Sequence, residues 1–416
     1  MATSVARKQE HISVMWKTVS EACNLACDYC YYSTCGGKPG KQIEKIADHV
    51  LEKFIKEYMS LTNGIASFAW QGGEPLLAGY EFFTKVVELQ QKYAPKNTMI
   101  SNALQTNGTL ITERWAKFFK QYHFLIGVSI DGPEAIHDSR RVDAVQQGSF
   151  ERVMKGINHL RKQQVEFNIL TVIHKDNVHR VKELFDFYKE QQIVYIQFIP
   201  CMSFQSQQID QPGSYEITPE EYGNFLCEAF DHWYNDGQPV HSERMFDHLL
   251  SVYAHREGGL CVQSKSCPKT IILEQNGDAY PCDFFIHDDW KIGNVGEDAL
   301  VDILNDPLYA TFLQQKPTLP EACQTCPWLS LCYGGCPRNR NWDQASGNNT
   351  TDYFCTSYQQ LFGYAHERLQ KLGDGVRQQL YQQGIRHYYK GKAPGRNDLC
   401  ACGSGRKYKV CCLPVE

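Results

Sequence analysis

Cys23, Cys27 and Cys30 stand in the spacing C-x3-C-x2-C, inside the run Cys23-Asn24-Leu25-Ala26-Cys27-Asp28-Tyr29-Cys30. Three thiolates are one too few for a four-iron cube, which is normally closed by four cysteines. The fourth iron is then left open to an exogenous ligand. Reductive cleavage of S-adenosylmethionine needs such an iron, since the cofactor must chelate it before an electron can break the sulfonium bond. The cofactor pair carries that radical chemistry while the protein supplies placement. Two other readings of the trio exist. One is a zinc knuckle with Cys35 as fourth ligand, the other a thioredoxin-type Cys-x-x-Cys.

Eighteen cysteines occur in 416 residues. The start of the chain, Met1 to His11, is polar and lacks the apolar core of a signal peptide. The chain therefore reads as cytoplasmic, where ligation accounts for clustered cysteines better than disulfides do. A second block runs Cys261-x5-Cys267-x14-Cys282, then Cys323-x2-Cys326-x5-Cys332-x3-Cys336-x18-Cys355. Eight thiolates suffice for two further four-iron clusters; a pair of structural zinc sites is the competing reading. A third group, Cys400-x-Cys402-x8-Cys411-Cys412, offers four thiolates for one closed tetrahedral zinc. A segment so short cannot bury a core, so metal would supply its folding energy. Cys35, Cys201 and Cys227 stand apart and read as small buried hydrophobes. The 14 histidines show no His-x3-His spacing.

Hydrophobic content of 42% and charged content of 21% are those of an ordinary soluble protein. The net charge of −5 gives no basic footprint for nucleic acid. No apolar run approaches the roughly 20 residues of a membrane span. Neither nucleic acid nor membrane is an expected partner.

The elements that must position the first cysteines alternate. Strand patterns cover Ile12–Val19, Ile65–Trp70, Met99–Gln105, Phe124–Ile130, Val165–Ile173 and Val194–Ile199. Helical patterns cover Ile43–Tyr58, Tyr80–Tyr93, Thr112–Tyr122, Phe150–Gln163 and Val178–Gln191. Such repeats predict an α/β fold with a parallel sheet, either a partial barrel or a doubly wound sheet. The unusual residues follow strand ends: the trio, Gly72-Gly73-Glu74-Pro75, Thr106-Asn107-Gly108, Ser129 with Asp131-Gly132-Pro133, and Cys201-Met202. Barrel enzymes assemble their sites at that rim, and the coincidence favours a partial (β/α)6 TIM-type barrel. Beyond a Pro212-Gly213 break the chain turns helical and connective to about His255. Residues 258–365 lose regular alternation, and a helical stretch Phe362–Tyr389 leads into a basic tail.

The trio together with Gly72-Gly73-Glu74-Pro75 resembles the radical S-adenosylmethionine superfamily. That resemblance implies that Tyr29 lies near the adenine and that the Gly73 backbone meets the methionine amino group. A closer likeness spans most of residues 12 to 370. The runs Trp70-Gln71-Gly72-Gly73-Glu74-Pro75, Leu104-Gln105-Thr106-Asn107-Gly108-Thr109, Ser129-Ile130-Asp131-Gly132-Pro133 and Tyr280-Pro281-Cys282-Asp283-Phe284 resemble the anaerobic sulfatase-maturating enzymes. This likeness implies Ser129 and Arg141 on the ribose and carboxylate side of the cofactor, and Met202 near the adenine. The cysteine block resembles the SPASM extension, which implies one cluster on Cys261, Cys267, Cys282 and Cys336. The other would take Cys323, Cys326, Cys332 and Cys355; sequence order alone suggests a different partition. The tail resembles the SEC-C motif, which implies docking rather than catalysis.

The domains implied are a radical core over 8–235, a loop-rich SPASM domain over 255–365 and a zinc-binding tail over 392–413. The cofactors implied are S-adenosylmethionine, three [4Fe-4S] clusters and zinc. The implied reaction oxidises a cysteine or serine of a sulfatase polypeptide to Cα-formylglycine, fed by a reductant such as flavodoxin or ferredoxin. Asp283, beside the ligand Cys282, is the candidate base for the thiol or hydroxyl proton. Gln71 and Asn107 are candidate channel residues. The alternatives are a related peptide maturase forming thioether or carbon–carbon crosslinks, or a non-catalytic iron–sulfur carrier or zinc adaptor. The last would need neither the Gly-Gly-Glu-Pro turn nor Asp283.

Overall fold

The computed structural model describes residues 12–30, 43–202, 213–341 and 350–413. Cys35, the Met1–His11 segment and Pro212 lie outside the described residues. Six parallel strands form the middle of one sheet: β1 (Ser13–Lys17), β2 (Ile65–Gln71), β3 (Met99–Thr106), β4 (Phe124–Ser129), β5 (Phe167–Ile173) and β6 (Tyr195–Pro200). They pair in chain order, and all six sequence expectations fall on them within a few residues. Helices follow the strands at Asp48–Leu61, Tyr80–Tyr93, Glu113–Gln121, Phe150–Lys162 and Val181–Glu190. The strands read as half apolar because one face meets these helices. Val14 and Trp16 of β1 are buried there, with Trp16 stacked on Trp70 at 6.0 Å and edge-on to Phe54 at 5.1 Å. Aromatic pairs in these geometries add to the area they bury.

The sheet extends beyond the expected core. A two-residue strand, β7 (Ser242–Glu243), pairs with β6 in parallel. On the other side β8 (Thr270–Leu273) pairs in parallel with β1, and β9 (Asp278–Tyr280) and β10 (Gly293–Asn294) follow antiparallel. The cysteine-dense region thus enters the barrel's own sheet next to the strand that leads into the first cysteine trio.

The connective region holds two helices. Thr218 and Glu221 form a capping box ahead of Pro219 at the start of Pro219–Tyr234. Glu243 caps Arg244–Tyr253 by accepting from the Met245 and Phe246 N–H groups. The last helix, Cys355–Tyr388, runs 34 residues and begins at a cysteine, earlier than the sequence pattern implied. Its Tyr358, Leu361, Phe362, Ala365 and Leu369 are buried at helical spacing against Pro219–Tyr234 and Arg244–Tyr253.

Candidate active site

The cysteine loop leaves β1 at Lys17 and is held by the Gly-Gly-Glu-Pro turn that leaves β2. Gly73 N donates to Ser20 O at 2.6 Å and Glu74 N to Ala22 O at 2.8 Å. A Cβ on Gly73 would lie 2.1 Å from Ala22 O, so only glycine lets the two loops approach this closely. Gly72 adopts φ +120°, again open to glycine alone. Glu74 is fully buried and accepts from Leu76 N, Asn107 N and Thr106 Oγ1 at 2.8–3.0 Å. Burial pushes its carboxyl up to about 7 against those hydrogen bonds. Asn107 donates to Asn24 Oδ1 at 2.8 Å and approaches Cys23 Sγ at 3.7 Å. It orders the cysteine loop.

The other end of the loop is tied to β4 and β5. Tyr29 donates its hydroxyl to Asp131 and stacks on His174 with ring centres 5.6 Å apart. Arg141 forks onto Asp131 at 2.9 and 3.3 Å. Its guanidinium lies 5.4 Å from the centre of the Tyr29 ring. Burial opposes ionisation of Asp131, but Arg141 leads His174 and His137 in overcoming it and holds the carboxyl below its ordinary value. Arg141 is 7% exposed, so its charge is met by Asp131 rather than by solvent. Ser129 is buried at the end of β4. Met202 packs on the core beyond β6, where its carbonyl accepts from Arg338 at 3.4 Å. Cys201 is buried, and Cys227 is half-buried on the helix Pro219–Tyr234.

Burial raises the Cys23 and Cys27 thiols to about 11 and about 12. As free thiols they would stay protonated; bound iron is the cation that would hold them as thiolates. This donor set fits a cluster with one open iron.

Inside the barrel the register aligns Lys17 with Gln71 on β1 and β2. Lys17 Nζ donates to Gln71 Oε1 at 2.7 Å, and Gln71 Nε2 to Gln105 Oε1 at 2.9 Å. Fully buried Lys17 also forms an ion pair with Asp283. Asp283 follows Cys282 just past β9, so the added strands bring the candidate base to the interior row of the barrel. Lys17 was missed from sequence. A lysine closing an apolar strand directly before a cysteine loop was the available signal.

In the second block Cys323, Cys326, Cys332 and Cys355 line one small pocket. Cys282 has Cys336 and Cys267 as electrostatic neighbours, and Cys261 is a neighbour of both Cys267 and Cys336. These proximities follow the interleaved order rather than the order along the chain. Sequence reasoning missed three buried charges around these sites: Lys316, Arg340 and Asp352.

In the tail the sulfurs of Cys400, Cys402, Cys411 and Cys412 all lie within 4.8 Å of one another. Cys402–Cys411 is 3.5 Å and Cys411–Cys412 3.8 Å, close to the roughly 3.8 Å edge of a tetrahedron with 2.3 Å zinc–sulfur bonds. The tail folds back on the long helix. Tyr408 stacks on Tyr381 at 5.5 Å, and Gly384 admits the Ala401 carbonyl. Cys411 Sγ lies 3.8 Å from His255 Nδ1.

Residues 18–188 match the Radical SAM superfamily, 266–327 an iron-sulfur cluster-binding domain (SPASM) and 396–414 the SEC-C motif. With the rim geometry, these define a radical S-adenosylmethionine enzyme carrying a SPASM extension. The chain is 37% identical over 372 residues to the cysteine-type anaerobic sulfatase-maturating enzyme of Clostridium perfringens, covering 88% of this chain and 99% of that one. The serine-type enzyme of Bacteroides thetaiotaomicron is 36% identical over 377 residues, covering 87% of this chain and 91% of that one. The solved structure of native anSMEcpe with bound AdoMet superposes with a TM-score of 0.82 at 36% identity, covering 88% of this chain and all of that one. The same enzyme with AdoMet and the Cp18Cys peptide gives 0.81, covering 88% of this chain and 99% of that one. The chain belongs to the anaerobic sulfatase-maturating enzyme family.

Proposed function

We propose that this chain oxidises the side-chain carbon of a cysteine or serine in a sulfatase polypeptide to the aldehyde of Cα-formylglycine. The observation that carries the reading is Asp283, paired to buried Lys17 within the row Lys17–Gln71–Gln105, directly inside the rim that bears Cys23, Cys27 and Cys30. When bound, the open-iron cluster and S-adenosylmethionine supply the hydrogen-abstracting radical. Tyr29, Gly73, Ser129, Arg141 and Met202 form the cofactor's surroundings. Gly73 keeps the cysteine loop against β2, while Arg141 and Asp131 fix the Tyr29 ring. Asp283 takes the thiol or hydroxyl proton, with Lys17 holding its carboxylate in place. Gln71 orients the substrate side chain from the adjacent strand.

Cys261, Cys267, Cys282 and Cys336 would hold one auxiliary four-iron cluster, and Cys323, Cys326, Cys332 and Cys355 the other; their chemistry is acceptance of the substrate's electron. Cys400, Cys402, Cys411 and Cys412 would hold zinc, which the sulfur spacing of the tail supports. The proposed domains are the radical core, 8–235, the auxiliary cluster domain, 255–365, and the tail, 392–413. The sheet runs continuously from the first into the second. Flavodoxin or ferredoxin is the proposed class of reductant, and the cytoplasm the proposed location. Among the described residues no helix is long and apolar enough to cross a membrane.

The test is anaerobic incubation with S-adenosylmethionine, reductant and a peptide containing Cys/Ser-x-Pro-x-Arg, followed by mass spectrometry. Formylglycine in the product is expected. A thioether or a carbon–carbon crosslink in its place would move the chain to the peptide maturases.

A further inference from the structure

Lys316 is 1% exposed, inside the cysteine-dense domain. Its Nζ donates to Val262 O at 3.0 Å and to Gly335 O. Each carbonyl belongs to a residue beside a proposed ligand, Cys261 and Cys336. The ammonium therefore straps together two loops that bear ligands of the same proposed cluster, and it does so through backbone oxygens, with no carboxylate bonded to it among the described residues. Burial, with Arg340 beside it, draws it below its ordinary value against Cys336, Cys267 and, from the second set, Cys332. Arg340, 2% exposed, lies behind it and spends its guanidinium on the carbonyls of Gly334, Gln315, Thr318, Lys316 and Tyr333. The nearby anion, Asp352, is occupied by Cys336 N, Phe354 N and Asn339 Nδ2 at 2.9–3.1 Å.

We propose that Lys316 is an electron-steering residue, a buried positive charge that raises the reduction potential of the cluster held by Cys261, Cys267, Cys282 and Cys336. The inference rests on the ligand assignment made above. Iron–sulfur potentials respond to local charge and hydrogen bonding, and a cation at short range in a dry interior favours the state with one more electron. The electron balance is simple. The substrate carbon radical loses one electron and, to Asp283, one proton; the cluster beside Asp283 gains that electron. A cation on that cluster's ligand loops makes the transfer more downhill and draws the electron away from the open-iron site.

The experiment uses the full chain carrying Cys23, Cys27 and Cys30 all replaced by alanine, reconstituted anaerobically with iron and sulfide, so that only auxiliary clusters are read. Lys316→Gln removes the charge and keeps a hydrogen-bond donor; Lys316→Arg keeps both. Iron content and an EPR-monitored redox titration are recorded for each. The expected result is unchanged iron, one midpoint moved to lower potential in Lys316→Gln, and a midpoint near the parent's in Lys316→Arg. Unmoved midpoints in Lys316→Gln would overturn the inference. Loss of iron from both variants would also overturn it, by reducing Lys316 to a geometric strap. A parent without iron would refute the ligand assignment itself, and this inference with it.

Discussion

Replacing Gly73 by alanine puts a methyl carbon 2.1 Å from Ala22 O and 2.6 Å from Glu21 O, both backbone atoms that no rotamer change can move. The cysteine loop and the β2 turn must therefore separate by about an ångström to reach ordinary contact. That separation breaks the Gly73 N–Ser20 O and Glu74 N–Ala22 O hydrogen bonds. At about 0.5–1.5 kcal/mol each, the pair costs the loop about 1–3 kcal/mol. Cys23 lies next to Ala22, so the displacement passes directly to the first ligand. A misplacement of about 1 Å at a reacting centre costs on the order of 10²-fold in rate. The expected outcome for Gly73→Ala is a fall of about that size in 5′-deoxyadenosine formation, with iron in the second block retained. The assay is anaerobic, with chromatographic quantification of deoxyadenosine and iron counted in the same sample. A wild-type rate with full iron would show that the loops tolerate the separation, and would refute the argument.

Asp283→Asn keeps shape and removes the base, so deoxyadenosine should still form while formylglycine falls roughly 10²–10⁴-fold. A wild-type ratio of the two products, quantified from one reaction, would make Asp283 structural. Truncation after Lys392 should remove zinc and spare peptide oxidation. Because it uncovers Tyr381, it should also lower Tm; a truncated enzyme with full clusters that no longer turns over a short peptide would contradict this. Burial pushes buried Glu243 up to about 7, so the folded state holds a proton that the unfolded state releases above the ordinary carboxylate range. Its contribution is full at low pH and is lost as pH rises to about 7. Glu243→Gln should flatten the decline in Tm between about pH 4.5 and 7, and an unchanged slope in thermal scans across that window would exclude Glu243 as its source.

The six strands were legible because each is a long run with one face against helices, and the rim followed from where Gly, Asn and Pro stood after them. β7 was not legible, since two residues carry no period. The pairing of β8 with β1 was not legible either, because nothing local in Thr270–Leu273 names a partner near the chain start. The sheet accordingly continues past the core proposed over 8–235. Among site residues, cysteine spacing exposed the proposed ligands, whereas Lys17 and Lys316 meet partners distant in sequence and read singly as ordinary charges. Arg141 stood out in the sequence only through the family likeness, and its fork onto Asp131 depends on the turn after β4 folding against β5.

The pairing of β1 with β8 also bears on synthesis. Ser13 Oγ and Thr270 Oγ1 meet at 2.8 Å across 257 residues. A ribosome adding about 5–20 residues per second needs roughly 13–50 s to cover that distance. Through that interval the first strand made has one bare edge, a template for wrong pairing, and Lys17 has no Asp283 beside it. The cysteines translated first are therefore housed only once β8 and Asp283 have been made. Iron delivered to a nascent chain before β8 is made would meet a loop still open on one side, so productive loading belongs after the synthesis of β8 and Asp283.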